Sequence, residues 1–185
     1  MACSAERRQG CTMHKSLTRQ IKTLLAGICL SALGSTALQA GEGLESAEAA
    51  QYLSELKRLY LSSDDRQALL AHGNSLLHSY ALLAGYQPGR ADAVDLRYQL
   101  SSPQAGELRV REERRTRDGS LQVSNKVLPV FGVDPFIRYE CPQQGQQCVI
   151  LDPRDGSPLL SIVRDHQGAA ELAKALSYLL RNLQK

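Results

Sequence analysis

The residues best placed to do chemistry are a cysteine pair, a run of arginines, a few histidines and one acidic turn. Cys141 and Cys148 flank a polar stretch containing Pro142 and Gly145, between the strand-like runs Tyr139–Cys141 and Cys148–Leu151. A disulfide across the mouth of this hairpin is the natural reading. A redox pair favours C-x-x-C at a helix start, which is not the spacing here. A metal needs further ligands, and no nearby His supplies one.

Arg109, Arg111, Arg115 and Arg117 share one face of an expected strand, with Glu113 among them; Arg114 falls on the opposite face with Glu112. Grouped guanidinium ions can make forked bonds to phosphate, carboxylate or an acidic protein surface. The plainer reading is a solvated strand face whose charges discourage edge-to-edge aggregation. A second possible partner surface is the bend from Leu128 to Phe136, where Val130, Phe131 and Val133 crowd between Pro129 and Pro135. Such an apolar loop either closes the core or exposes an adhesive patch.

The histidines and the acidic turn carry less. His72 and His78 sit about 600° of helical rotation apart, on nearly opposite faces, and cannot chelate one metal together. His166 lies beside Asp165, but no G-x-S-x-G elbow marks a serine to join them. The segment from Asp152 to Pro158 lacks the calcium-loop pattern and reads as a rigid turn. Gly-rich phosphate loops, H-E-x-x-H and zinc spacings are missing, as are aromatics interleaved with bases for stacking on nucleic acid. No catalytic residue, metal ligand or cofactor is therefore assigned.

The elements that must position these groups follow from periodicity. Ala49, Tyr52, Leu53, Leu56 and Tyr60 recur at helical steps after Ser46, an expected N-cap. Ser62 and Ser63 can cap a second helix, with a stripe running from Leu69 to Ala84 and an expected end at Gly85. Residues 46–86 thus read as a helical hairpin. Residues 92–164 switch to a period of two, with Leu96, Tyr98 and Leu100, then Leu108 and Val110, facing inward, and Asp118-Gly119 marking a hairpin. Residues 166–184 form a last helix capped by Asp165. Short connections make consecutive strands antiparallel. The expectation is an α+β domain, with one antiparallel sheet of five or six strands, an N-terminal helical hairpin and a C-terminal helix packed on the sheet.

The N-terminal 1–40 carries an address. A basic lead (His14, Lys15, Arg19, Lys22), an apolar run from Leu24 to Leu33 and small residues to Ala40 have the layout of a secretory signal peptide, with cleavage expected after Ala37 or Ala40. The apolar run is half the length of a membrane span. Residues 1–12 fit no part of a signal, and Met13 is an alternative start. These first forty residues hold five basic side chains and one acid, so 22 basic and 19 acidic groups in the whole chain become 17 and 18 in 41–185. That near-neutral balance gives no support to a globally basic nucleic-acid binder. The expected object is a periplasmic or secreted single domain, 41–185, that binds a protein or envelope component without catalysis and does not span the membrane once mature. An inhibitor or immunity-type protein and a small secreted hydrolase are the alternatives.

Overall fold

Two helix starts in this chain are set by carboxylates that satisfy free backbone donors. The computed structural model describes residues 40–185, and the expected leader through Gln39 lies outside them. Helix α1 spans Ala40–Leu59 and α2 spans Asp65–Ser79. Asp64 caps α2 by accepting the Gln67 N–H at 2.8 Å, while Ser62 serves the turn by accepting the Asp64 N–H at 3.1 Å. The expected serine cap is therefore corrected to Asp64, and Ser46 lies inside α1 rather than at its start. Between the helices Leu61 takes a positive φ of 51°.

The second helix stops earlier than its apolar stripe implies. Tyr80 ends α2, and a single 3₁₀ turn follows at Ala84–Tyr86. Tertiary demand overrides helical spacing here. Tyr80 O accepts the Val163 N–H at 2.9 Å, and Ala81 and Leu82 form bridges to Ile162 and Leu96.

Six strands follow: β1 Asp95–Ser101, β2 Glu107–Arg115, β3 Leu121–Pro129, β4 Tyr139–Glu140, β5 Gln147–Leu151 and β6 Pro158–Val163. The mixed α+β class holds, but the expectation of one sheet is corrected. The strands form two antiparallel three-stranded sheets, β1-β2-β3 and β4-β5-β6. The Ala81 and Leu82 bridges run between their edges. Helix α3, His166–Leu183, begins where Asp165 accepts the Gly168 N–H at 2.7 Å, as its sequence signal predicts.

The core lies between α2, α3 and the inner faces of both sheets. Leu172, Leu176, Leu179, Leu180 and Leu183 of α3 are all buried, with Leu69 and Leu77 of α2 and Leu108, Leu128, Ile150 and Ile162 from the strands. Gly73 is small because Leu100 Cδ1 sits 2.9 Å from where a β-carbon would stand, and Gly168 because the Tyr80 ring lies 2.7 Å from the same point. Cys141 and Cys148 are joined as a disulfide. The β4–β5 register, Tyr139 opposite Ile150 and Glu140 opposite Val149, carries them to facing positions at the hairpin mouth. Among the described residues no helix is long and apolar enough to cross a membrane.

Candidate functional site

Alternation along β2 separates its charges by face. Leu108 and Val110 point to the core, and Glu112 and Arg114 continue on that side. Arg109, Arg111, Glu113 and Arg115 point the other way. The register adds neighbours that the sequence did not reveal. Arg97 on β1 stands opposite Glu113, and on β3 Val127, Asn125, Val123 and Leu121 stand opposite Arg109, Arg111, Glu113 and Arg115. The outer face is thus an arginine field bordered by an apolar ridge, with Leu121, Val123 and Val127 exposed by 49%, 42% and 40%. Arg111 is partly neutralised by Glu113 at 2.7 Å. Arg97, Arg111 and Arg115 reach solvent, and Arg109 is half-buried. Arg117 lies in the turn beyond the end of β2, so its expected place on the strand face is corrected.

The 128–136 bend divides. Leu128 and Val130 are fully buried, so Val130 offers nothing to a partner and leaves the expected surface. Val133 is half-buried, and Phe131 is exposed. Gln184 of α3 pins the bend by donating to both Val130 O and Val133 O at 2.7 Å. One side of the Phe131 ring occupies the space beside Gly106, whose φ of +75° suits glycine.

The histidine that meets a carboxylate and a hydroxyl is His72, rather than His78 or His166, which are exposed. His72 Nε2 lies 3.0 Å from Glu171 Oε1, and Nδ1 lies 3.1 Å from the Tyr60 hydroxyl. Tyr52 donates to the same Glu171 oxygen at 2.7 Å. Burial pushes the Glu171 carboxyl up, but hydrogen bonds from Tyr52 and His72 outweigh it and leave the group below its ordinary value. Burial raises the Tyr52 phenol well above the usual range, and the Glu171 bond adds to this. The cluster ties α1, α2 and α3 together through satisfied polar bonds. Its partners come from segments far apart in sequence, so no local motif announces it.

Between the sheets lies a polar cleft of about 330 Å³. Its cations are engaged: Arg114 reaches Glu112 at 3.3 Å, and Lys126 Nζ donates to Pro158 O at 2.9 Å. Burial, reinforced by the Glu112 charge, pushes the Tyr98 phenol in this cleft above its usual range.

The acidic turn is a structural device. Asp152 is only 1% exposed and accepts a forked bond from Arg154, Nε at 3.0 Å and Nη2 at 2.8 Å, together with the Arg154 backbone N–H at 3.0 Å. The guanidinium bonds hold the Asp152 carboxyl below its ordinary value despite burial. A depressed carboxyl stabilises fully above the unfolded value of about 3.9 and loses that contribution as pH falls through the folded one. Arg154→Ala is expected to destabilise by about 1–3 kcal/mol at neutral pH, because it strips the buried carboxylate of its main partner. The gap between variant and wild type should close below about pH 4. Urea titrations at neutral and acid pH check this, and an equal gap at both would refute it. Among the described residues no group of three or more His, Cys, Asp or Glu is arranged to hold a metal.

Comparison with protein-family models, with curated proteins and with solved structures gives no match in any of the three.

Proposed function

We propose that this chain is exported, loses its leader near Ala37 or Ala40, and acts in a bacterial envelope as a non-enzymatic binding protein. Its docking surface is the outer face of β1–β3, and its partner is a protein with an acidic surface. In this reading α1 and α2 form a hairpin that backs the core and leaves that face open. The observation that carries the proposal is the side-by-side placement of Arg97, Arg109, Arg111 and Arg115 with the exposed Leu121, Val123 and Val127. Aliphatic area and guanidinium groups together suit a protein interface better than a small anion, because one supplies desolvation and the other orientation. The disulfide fits an oxidising compartment.

Crosslinking in intact cells, followed by capture of this chain, tests the proposal. Reversing Arg109, Arg111 and Arg115 to Glu is expected to weaken partner recovery by about tenfold or more, with the melting temperature little changed. Undiminished recovery would remove the arginine face from the interface. Phe131 supports a second reading, an inhibitor or immunity-type protein. Its exposed ring stands on a bend held by Gln184, a stiff presentation suited to insertion into an enzyme's pocket.

A further inference from the structure

The backbone of β3 carries a consequence separate from the arginine face. The Val130 N–H donates to Gly106 O at 2.9 Å and the Thr116 N–H to Ser120 O at 3.0 Å, marking the two ends of the β2–β3 ladder. Bonded pairs in an antiparallel ladder recur at every second residue. With the observed register, β3 therefore bonds β2 through Gln122, Ser124, Lys126 and Leu128. Leu121, Val123, Asn125 and Val127 turn their N–H and C=O groups outward.

Outward groups of other strands are taken at several points. On β1, the Leu96 N–H donates to Leu82 O at 2.8 Å, and Leu100 exchanges two bonds with the Asn74 side chain at 2.7 and 3.0 Å. On β6, the Val163 N–H is taken by Tyr80 O. At the far edge of the second sheet, β4 is only two residues long. Among the described residues β3 is thus the long open edge, nine residues with no proline before its last position. Open edges of this kind pair with other strands unless they are blocked.

We infer that β3 pairs with β3 of a second copy of this chain, antiparallel about a two-fold axis through Asn125. The outward N–H and C=O groups of Val123, Asn125 and Val127 then meet their complements, while Leu121 falls opposite Pro129 of the partner subunit, which has no N–H to give. Val123 faces Val127 of the partner subunit, both on the exposed ridge, and Asn125 faces its own counterpart amide to amide. Charge excludes one of the two neighbouring registers. The sole charged side chain on β3, Lys126, falls opposite Ser124 of the partner subunit. Moving the axis one residue, to Lys126, would set two ammonium groups directly opposite, which is destabilising. The arginines of β2 lie across the seam by about three strand spacings, roughly 14 Å, beyond the screening length in physiological salt. The product is a six-stranded sheet whose apolar ridges meet at its centre.

Sedimentation equilibrium of protein purified from cells expressing the full chain tests this, over about 1–100 µM, the range in which a moderate dimer dissociates. The apparent mass should double with concentration. Asn125→Pro removes an N–H that β2 does not use, and Val123→Lys places a charge in the seam. Each should weaken association at least about tenfold while circular dichroism stays unchanged. If the proline variant fails to fold, Val123→Lys decides alone. The Arg109, Arg111 and Arg115 reversals should leave the dimer intact, which separates this result from the partner-capture test. A monomer throughout, a dimer indifferent to Val123→Lys, or a dimer abolished by the arginine reversals would each overturn the pairing.

Discussion

Replacing Asn74 with alanine is expected to cost about 2–4 kcal/mol, far more than an ordinary substitution on a helix. The side-chain amide of Asn74 stands in for a strand. Its Oδ1 accepts the Leu100 N–H at 2.7 Å, and its Nδ2 donates to Leu100 O at 3.0 Å. Leu100 is only 3% exposed, so both backbone groups are orphaned together when the amide goes. Each orphan costs roughly 1–3 kcal/mol, and the better helix propensity of alanine returns only about 0.7 kcal/mol. Asn74→Asp keeps the acceptor but turns the donor into a second acceptor beside a carbonyl, so it should be no better. Urea unfolding of both variants checks this. A loss below about 0.5 kcal/mol for Asn74→Ala would mean that the amide is not holding the edge of β1.

Removing the disulfide is expected to cost roughly 2–3 kcal/mol through the regained freedom of a short loop. The bond matters here beyond its loop, because β4 contains only Tyr139 and Glu140 and has little ladder of its own. The staple holds this strand against β5. The double variant Cys141→Ala/Cys148→Ala is the cleaner test, since Cys148 is fully buried and a serine there would bury a polar hydroxyl in the core. Unfolding midpoints should fall in the variant and, equally, in wild type under reductant. Identical midpoints with and without reductant would remove the staple from the stability of the domain.

Legibility from sequence followed the range of the forces involved. Strands β1 and β2 show their alternation plainly, and Leu96, Leu100, Leu108 and Val110 are buried as that pattern predicts. The leucine stripe of α3 and its Asp165 cap are equally local, and both appear where expected. The end of α2 was not legible, because the apolar spacing runs on through Leu83 while strands distant in sequence claim the backbone at Tyr80, Ala81 and Leu82. Division into two sheets was hidden for the same reason. Spacing identifies strands but does not state which edges meet. Within the candidate surface, the shared side of Arg109, Arg111 and Arg115 was readable from a period of two. Its apolar border was not, because Leu121, Val123 and Val127 alternate just as a buried strand would, and only the packing shows that this side faces out. The Tyr60–His72–Glu171 cluster depends on three helices meeting, which no spacing encodes.

The link between the sheets limits how this chain can vary. Three successive residues, Tyr80, Ala81 and Leu82, fix the edge of β6 on one side and of β1 on the other. Extended backbone alternates at every step, so one added or deleted residue there would turn whatever follows to the wrong side of the pleat. Composition at this link is free to drift wherever room allows, but its length is not. It acts as a ruler, and insertions belong in the outer turns instead.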